Sequence, residues 1–222
     1  MKKLFALLLA LIMVFCFTAC ADDDDVRGDV SSGSNNSTSS EEATFDTGKV
    51  SSNKYTNKFL GISCELGSDW TFMTDEEIKE NNKQALNMMD NEDYAEALQN
   101  ASTFTDMMAT HSNQTDTLGI TFEKLTGVNL TISEDKYIDS TKDVLKSSLE
   151  SMGMQNVTLT TGKDNFAGKK HSYVAISAQY SGISVYEKIV VVKKGNYVAI
   201  VAACTWKTNG CDDVLSLFKA AK

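Results

Sequence analysis

Residues 171–206, HSYVAISAQYSGISVYEKIVVVKKGNYVAIVAACTW, decide the fold of this 222-residue chain. Turn-forming pairs at 181–182 (Ser-Gly) and 195–196 (Gly-Asn) divide the stretch into the three strands of a meander. The runs 189–192 and 198–203 are apolar at every position rather than at alternate positions. Strands of this kind are covered on both faces, so the sequence predicts a central sheet with helices packed on each side.

Helices and further strands surround the meander. Segment 133–152 is the clearest helix, because its apolar residues recur at helical spacing and Gly153 ends it. Thr74 and Glu77 form a capping box that begins an earlier helix, and residues 214–221 have the pattern of a final amphipathic helix. Further strands are expected at 55–66, 70–72, 104–110 and 118–125. The expected fold class is therefore α/β in the α+β sense, one domain with a central, mostly antiparallel sheet flanked by helices on both faces.

The N-terminus has the parts of a secretion signal. Two lysines precede an apolar run over residues 4–17, and a small residue, Ala19, stands directly before Cys20. The run is shorter than the roughly 20 residues that a membrane-spanning helix needs. The segment resembles a bacterial lipoprotein signal, which implies cleavage before Cys20, lipidation of its thiol, and an extracytoplasmic chain anchored to the cell membrane. A plain signal peptide with an incidental cysteine is the alternative.

A polar segment separates the signal from the folded part. It contains an acidic block at 22–25 and a stretch of Ser, Asn, Gly and Thr at 31–40. Such sequence cannot bury enough apolar surface to offset the entropy lost on ordering, so it predicts a disordered tether spanning about 30 Å. The predicted organisation is a signal peptide at 1–19, a tether at 20–53 that begins with lipidated Cys20, and one globular domain at 54–222.

The globular part resembles the PsbP-like family. The residues that carry the resemblance lie in the opening strands and near the C-terminus: Tyr55, Asn57, Leu60, Gly61, Ile62, Leu66, Trp70, Trp206 and Phe218. The long helix and the meander also match, so the resemblance covers most of residues 54–222 and implies a PsbP-like sandwich. This fold occurs in the extrinsic protein of photosystem II and in many bacterial lipoproteins. It implies no activity, because the matching pattern contains no catalytic motif and the fold hosts unrelated functions.

The acidic composition excludes several partners. Removal of residues 1–19 takes away two lysines and no acid, which leaves 19 basic against 30 acidic residues and a net charge of −11. A nucleic-acid-binding protein needs a basic stripe that neutralises phosphates, and the sequence contains none. The acidic balance would also repel anionic headgroups, so the N-terminal lipid, rather than the protein surface, is the expected contact with the membrane.

Three cysteines remain when the signal and the lipidated residue are set aside. Cys64 alternates with apolar neighbours, and we expect it to be a buried thiol. Cys204 and Cys211 lie close enough in sequence for a disulfide, but their spacing does not establish one. The expected position of Cys211 at a helix N-terminus could instead make its thiol reactive. The spacing leaves both alternatives open.

No motif for catalysis, metal binding or cofactor binding occurs in the sequence. His111 and His171 are expected at strand ends on the surface, and the Gly-x-Ser-x-Gly nucleophile elbow is missing. The histidines and cysteines lack the spacing of a zinc site. We therefore expect no catalytic residue, no metal site and no cofactor.

These observations favour a non-enzymatic binding or interaction module at the bacterial cell surface. Its partner would be a small amphipathic ligand or another envelope protein, and Trp70, Tyr94 and Trp206 are the candidate lining of a ligand groove. An envelope hydrolase or a thiol-dependent enzyme is the first alternative, which convergence of His111 and His171 on one cleft would favour. A solute-binding receptor is the second, although such receptors usually have two lobes around a hinge.

Replacement of Cys20 by alanine tests the lipid anchor. Alanine has no thiol to accept a diacylglyceryl group, so we expect the variant in the medium or as an unprocessed precursor. Metabolic labelling with a radioactive fatty acid, followed by fractionation of cells and medium, measures both outcomes. A Cys20→Ala variant that is still acylated and processed would contradict the lipoprotein interpretation.

Overall fold

The computed structural model describes residues 45–85, 94, 98 and 101–221, which form two antiparallel sheets and several helices. The small sheet contains β1 (Lys49–Ser51), β2 (Lys54–Asn57), β3 (Ile62–Glu65) and β11 (Phe218–Ala220). The large sheet contains β4 (Trp70–Phe72), β5 (Thr103–His111), β6 (Thr117–Lys124), β7 (Gln155–Phe166), β8 (Lys169–Tyr180), β9 (Ile183–Lys194) and β10 (Tyr197–Trp206). The helices whose bounds lie within the described residues are α1 (Asp75–Ala85), α2 (Glu134–Ser151) and α3 (Cys211–Leu215), and a 3₁₀ turn spans Gly127–Thr131.

The central strand of the large sheet is β10, which confirms the importance of the predicted meander. The strand order is β4-β5-β6-β10-β9-β8-β7, and each neighbouring pair is antiparallel. Every residue from 198 to 204 is 0% exposed. The even-numbered side chains of β10 pack into one apolar cluster and the odd-numbered ones into another. The strand is therefore covered on both faces, as its consecutive apolar residues predict.

Helix α2 covers one face of the large sheet and confirms the predicted long helix. The Ser133 hydroxyl accepts a hydrogen bond from the Lys136 N–H and caps the helix. Ile138, Leu145 and Leu149 are buried against the sheet, and burial of each such side chain stabilises the fold by roughly 1.5–3 kcal/mol. None of the helices among the described residues has the length and apolarity required to span a bilayer.

The other face is covered mainly by the small sheet, so the expected flanking of both faces by helices is wrong. Helix α3 contributes only five residues to this side. The predicted helix at 214–221 is also wrong, because Phe218–Ala220 pairs with β3 and places Phe218 opposite Cys64. A segment this short cannot stabilise a helix by itself, whereas pairing with β3 satisfies the backbone groups of Lys219 and Phe218 is buried. The fold is dominated by sheet.

The folded domain begins earlier than predicted. The Phe45 ring stacks on Tyr197, with centroids 4.1 Å apart, and meets Phe59 and Phe122 edge-on. Strand β1 pairs with β2 and extends the small sheet. Residues 45–53 therefore belong to the domain rather than to the expected tether at 20–53, of which residues 20–44 lie outside the described residues, as does Cys20. The composition of this segment is polar and predicts disorder, but one aromatic residue, Phe45, packs it against the domain.

A half-buried carboxylate connects this early segment to the large sheet. Asp106 lies at a β-bulge in β5. Its oxygens accept hydrogen bonds from the Gly48 N–H at 2.9 Å, from the Tyr55 hydroxyl, and from Asn57 Nδ2 at 3.0 Å. The bulge directs Asp106 toward the small sheet, because an extra residue re-aims a side chain within a strand. The two sheets are therefore joined by polar bonds as well as by apolar packing.

The substitution Phe45→Ala tests whether residues 45–53 belong to the domain. We expect the free energy of unfolding to fall by about 2 kcal/mol, less than for a fully buried phenylalanine because Phe45 is half-buried. Urea unfolding followed by fluorescence measures this loss. The substitution Val128→Ala is the control, since Val128 is exposed and its truncation should change stability by less than about 0.5 kcal/mol. Equal stabilities of the two variants would show that Phe45 does not pack in solution.

Candidate functional site

The three aromatic residues expected to line a ligand groove do not come together. Trp206 is buried among the side chains under α2, whereas Trp70 packs on the opposite face of the large sheet and meets His111 edge-on at 5.2 Å. The Tyr94 hydroxyl accepts a hydrogen bond from Asn82 Nδ2. The predicted groove is therefore wrong, because the alternation of side chains along the strands sends the two tryptophans to different faces. Trp70 lines a cavity of about 450 Å³.

The described cysteines are free and buried. Cys204 points to the face under α2, while Cys211 packs with the residues on the other face. A bridge between them would require both sulfur atoms on one side of the sheet, so this packing leaves the possible disulfide unformed. Burial raises the pKa of the Cys211 thiol to about 11 and that of Cys64 to about 12. The position of Cys211 at the start of α3 therefore does not activate its thiol.

The two histidines lie apart. His111 ends β5 and its Nε2 is 2.9 Å from Asp69 Oδ2, while His171 lies on β8 with Nδ1 2.8 Å from Glu134 Oε1. Three strands separate β5 from β8, so the histidines do not converge on one cleft. Within residues 45–85 and 101–221, no three His, Cys, Asp or Glu side chains are placed to hold a metal ion.

A cavity of about 470 Å³ lies between the β7–β8 turn, β9, α3 and β11. Its floor is apolar and consists of four buried side chains: Phe166, Val190, Leu215 and Phe218. Its rim is charged and carries two acids and two lysines: Asp164, Asp212, Lys188 and Lys219. This volume is within the range of ligand-binding pockets, in which an apolar lining with a few placed polar groups is typical.

Lys188 is the most enclosed charged group of the cavity, with 8% of its surface exposed. Its ammonium group donates to Asp164 Oδ2 at 2.8 Å and to Asp212 Oδ1 at 2.5 Å, and it lies 4.3 Å from the centre of the Tyr173 ring. Burial alone would lower the pKa of Lys188, but the hydrogen bonds and charges of the two aspartates raise it. Lys188 therefore remains charged. Asp164 and Asp212 hold its ammonium group above the apolar floor of the cavity.

One wall of the cavity is the outer edge of β11. All three residues of this strand line the cavity, although neighbouring side chains point to opposite faces, so the strand faces the cavity with its edge. The Ala221 N–H donates to the Gly61 carbonyl, and hydrogen-bonded pairs alternate along an antiparallel ladder. Lys219 is therefore bonded toward β3, and Phe218 and Ala220 direct their N–H and C=O groups outward. Among the described strands, none pairs with this edge.

A second polar feature, Glu187, is buried under α2 on the face away from the cavity. It lies beside Cys204 in β10, and Thr117 lies on the far side of Cys204. In the described part of the chain, neither carboxyl oxygen of Glu187 has a hydrogen-bond partner. Burial raises the pKa of Glu187 to about 8, so the side chain is largely neutral near pH 7. The sequence did not reveal this residue, because Glu187 and Lys188 together resemble a solvated turn within an apolar strand.

Comparison with known proteins identifies no family. No protein-family model matches the chain, and no curated protein matches it. Among solved structures, the chain is similar to LpqN, described as involved in cell envelope biogenesis of Mycobacterium tuberculosis. The TM-score is 0.42 and the identity 13%, over 72% of this chain and 83% of that chain. Similarity at this level supports no argument about fold or function, and the resemblance to lipoprotein signals and to the PsbP-like family stays a prediction.

The buried carboxyl of Glu187 should make the stability of the domain fall as the pH rises. Its pKa is about 8 in the folded chain against an ordinary value of 4.5. The unfolded chain therefore loses this proton first, which costs about 1.4 kcal/mol per pH unit between the two values and roughly 5 kcal/mol in total. The substitution Glu187→Gln keeps the shape and removes this titration. We expect the variant to match the wild type near pH 5 and to be more stable by several kcal/mol near pH 8.

Urea unfolding at about pH 5 and about pH 8 measures this difference. Glu150→Gln is the matched control, because Glu150 is an exposed glutamate of α2 and its replacement should leave the pH dependence unchanged. Parallel stability profiles for the wild type and Glu187→Gln would show that the carboxyl is solvated in solution.

Proposed function

We propose that this chain is a membrane-anchored extracytoplasmic lipoprotein whose domain binds an extended peptide segment of another envelope protein, without catalysing a reaction. The observation that carries the proposal is the outer edge of β11, which lies open along the 470 Å³ cavity. A strand edge offers backbone hydrogen bonds to an incoming strand, and an adjacent apolar pocket selects its side chains.

The geometry of the cavity fits an added strand. Phe218 and Ala220 direct backbone groups outward, so an incoming chain has two residues with which to pair. The apolar floor beneath would receive one of every two side chains of that chain, since side chains alternate along a strand. The remaining side chains would face the charged rim.

The rim favours a peptide over a strongly charged ligand. Its two aspartates and two lysines give no net charge, and Lys188 is already bonded to Asp164 and Asp212. An anionic ligand at Lys188, or a cationic ligand at Asp164 or Asp212, would therefore have to displace an existing ion pair. The neutral amide groups of a peptide backbone avoid this cost, because they pair with the neutral groups of β11.

The short length of β11 limits promiscuous pairing. Only three residues form the edge, and Lys219 lies at its centre. Natural proteins use short edges and lysines to prevent non-specific association of strands. Recognition would therefore depend on side chains that fit the apolar floor, which gives the site selectivity among extended segments.

The expected lipid anchor supports a role in protein association. A tethered domain stays within a thin layer near the membrane, so its effective concentration toward membrane-bound partners is high. A modest affinity at β11 would then be sufficient for binding in the envelope.

A small amphipathic ligand is the second candidate, favoured by the volume and the apolar floor of the cavity. The substitution Ala220→Pro separates the two candidates. Proline removes the outward N–H of residue 220 and leaves the bonds to β3 in place, so it should weaken binding of a strand. Binding of a small molecule to the floor would continue.

Site-specific photocrosslinking in whole cells tests the proposal. A benzophenone amino acid replaces Lys219, whose side chain lines the cavity, and irradiation should yield a covalent adduct with a second protein. We expect the adduct to be lost in combination with Ala220→Pro and retained with Ala220→Val, which keeps the N–H. The same amino acid at exposed Ser147 on α2 is the control and should give no such adduct. Equal adducts from positions 219 and 147, or an adduct that survives Ala220→Pro, would contradict strand addition.

A further inference from the structure

Lysines are concentrated at one end of the large sheet, which we call the basic end. At this end β7, β9 and β6 finish and β8 and β10 begin. Lysines of the turns, of the neighbouring β2–β3 loop and of the first turn of α2 meet there: Lys58, Lys136, Lys169, Lys170, Lys193 and Lys194. The chain as a whole is acidic, so this placement is a strong segregation of charge.

The charges of these six lysines are not neutralised by acids. In residues 45–85 and 101–221, none of the six forms an ion pair. Lys193 and Lys194 donate to the carbonyl oxygens of Gly195 and Phe59, which leaves their positive charge in place.

The carboxylates at the same end are fewer than the lysines, and Asp164 and Glu123 among them are bonded to Lys188 and to the Tyr137 hydroxyl. Glu134 accepts from His171 and from two backbone N–H groups, which occupies its oxygens. Asp135 is bound by Lys163 at 2.6 Å and by the Ser172 hydroxyl. Asp46, next to Phe45, is exposed. Among the described residues, the basic end therefore carries an excess of positive charge.

The 3₁₀ turn at the basic end exposes apolar side chains. The turn follows β6, and the Leu125 N–H before it donates to Asn196 in the β9–β10 turn. Val128 is 91% exposed and Leu130 is 45% exposed. Segment 125–133 contains no acidic residue. Exposed aliphatic side chains surrounded by lysines are the combination by which peripheral proteins bind anionic bilayers.

The chain that precedes the domain also leaves it at the basic end. Phe45, the first described residue, stacks on Tyr197 at the start of β10. Residues 1–44 therefore connect to the domain on this side. A lipid attached within them would therefore leave the basic end closer to the point where the tether joins the domain than the opposite end.

We propose that the basic end docks on an anionic lipid bilayer, with Val128 and Leu130 in the interface and the lysines against lipid phosphates. This proposal is independent of peptide binding at β11. It revises the expectation drawn from net charge, because charges more than about 10 Å from the headgroups are screened at physiological salt and the local lysines dominate the contact. The domain would then stand on the membrane in one orientation.

Vesicle cosedimentation tests this docking without the lipid anchor. The protein is residues 21–222, which lack Cys20 and include every described residue, and the probe is vesicles with about 30% phosphatidylglycerol in phosphatidylcholine. We expect binding that weakens as salt is raised, and no binding to pure phosphatidylcholine. The double substitution Lys169→Glu/Lys170→Glu should reduce binding by at least about tenfold. The double substitution Val128→Ser/Leu130→Ser should also reduce it.

Matched controls separate the basic end from general effects of charge and apolarity. Lys146→Glu/Lys207→Glu makes the same change in net charge at exposed lysines elsewhere and should bind like the wild type. Val144→Ser/Ile183→Ser removes aliphatic side chains that are 45% and 40% exposed and should also bind normally. Circular dichroism of each variant verifies that it is folded.

Three results would overturn the proposal. The first is no binding of the wild type to anionic vesicles, and the second is equal loss of binding in the lysine variant and its control. The third is binding to soluble polyphosphate as tight as to vesicles, together with vesicle binding that is insensitive to Val128→Ser/Leu130→Ser. That result would assign the basic end to a soluble polyanion.

Discussion

The rest of the structure depends on the burial of β10 from both sides. Residues 198–204 are entirely inaccessible, so each face of the strand requires its own cover. Helix α2 provides one cover and the small sheet provides the other. Because the second cover is a sheet that ends at β11, it brings an open strand edge beside the large sheet. The cavity with the charged rim is a consequence of this arrangement.

Sequence patterns predicted the elements whose periodicity is strong. The meander, the capping box of α1 and the stripe of α2 agree with the structure. Strand β7 has no clear pattern, since it is an edge strand with polar residues on both faces. Phe218 fits a helix or a strand equally well when only spacing is considered, and only the position of β3 decides between them. Three-dimensional packing therefore supplied what periodicity could not.

The candidate site was not predictable, because its parts are distant in sequence. Asp164, Lys188 and Asp212 belong to three different elements, and each resembles an ordinary surface charge by itself. Trp70 and Trp206 were predicted to line one groove because they are large aromatic side chains, yet they pack on opposite faces of the large sheet. The acidic net charge was also misleading, because it does not show where on the surface the lysines lie. The positions of these residues depend on which strands are neighbours in the sheets, and the sequence alone did not show this pairing.

Binding of a peptide at β11 requires that the outer edge of this strand is open and able to accept another strand. Residue-resolved amide hydrogen exchange on residues 21–222, in the absence of any partner, tests it most directly. An open edge predicts rapid exchange of the Phe218 and Ala220 amides, slow exchange of Lys219, and strong protection of residues 198–204. Protection of Phe218 and Ala220 equal to that of Lys219 would mean that the edge is already paired. That result would rule out the addition of a strand at β11.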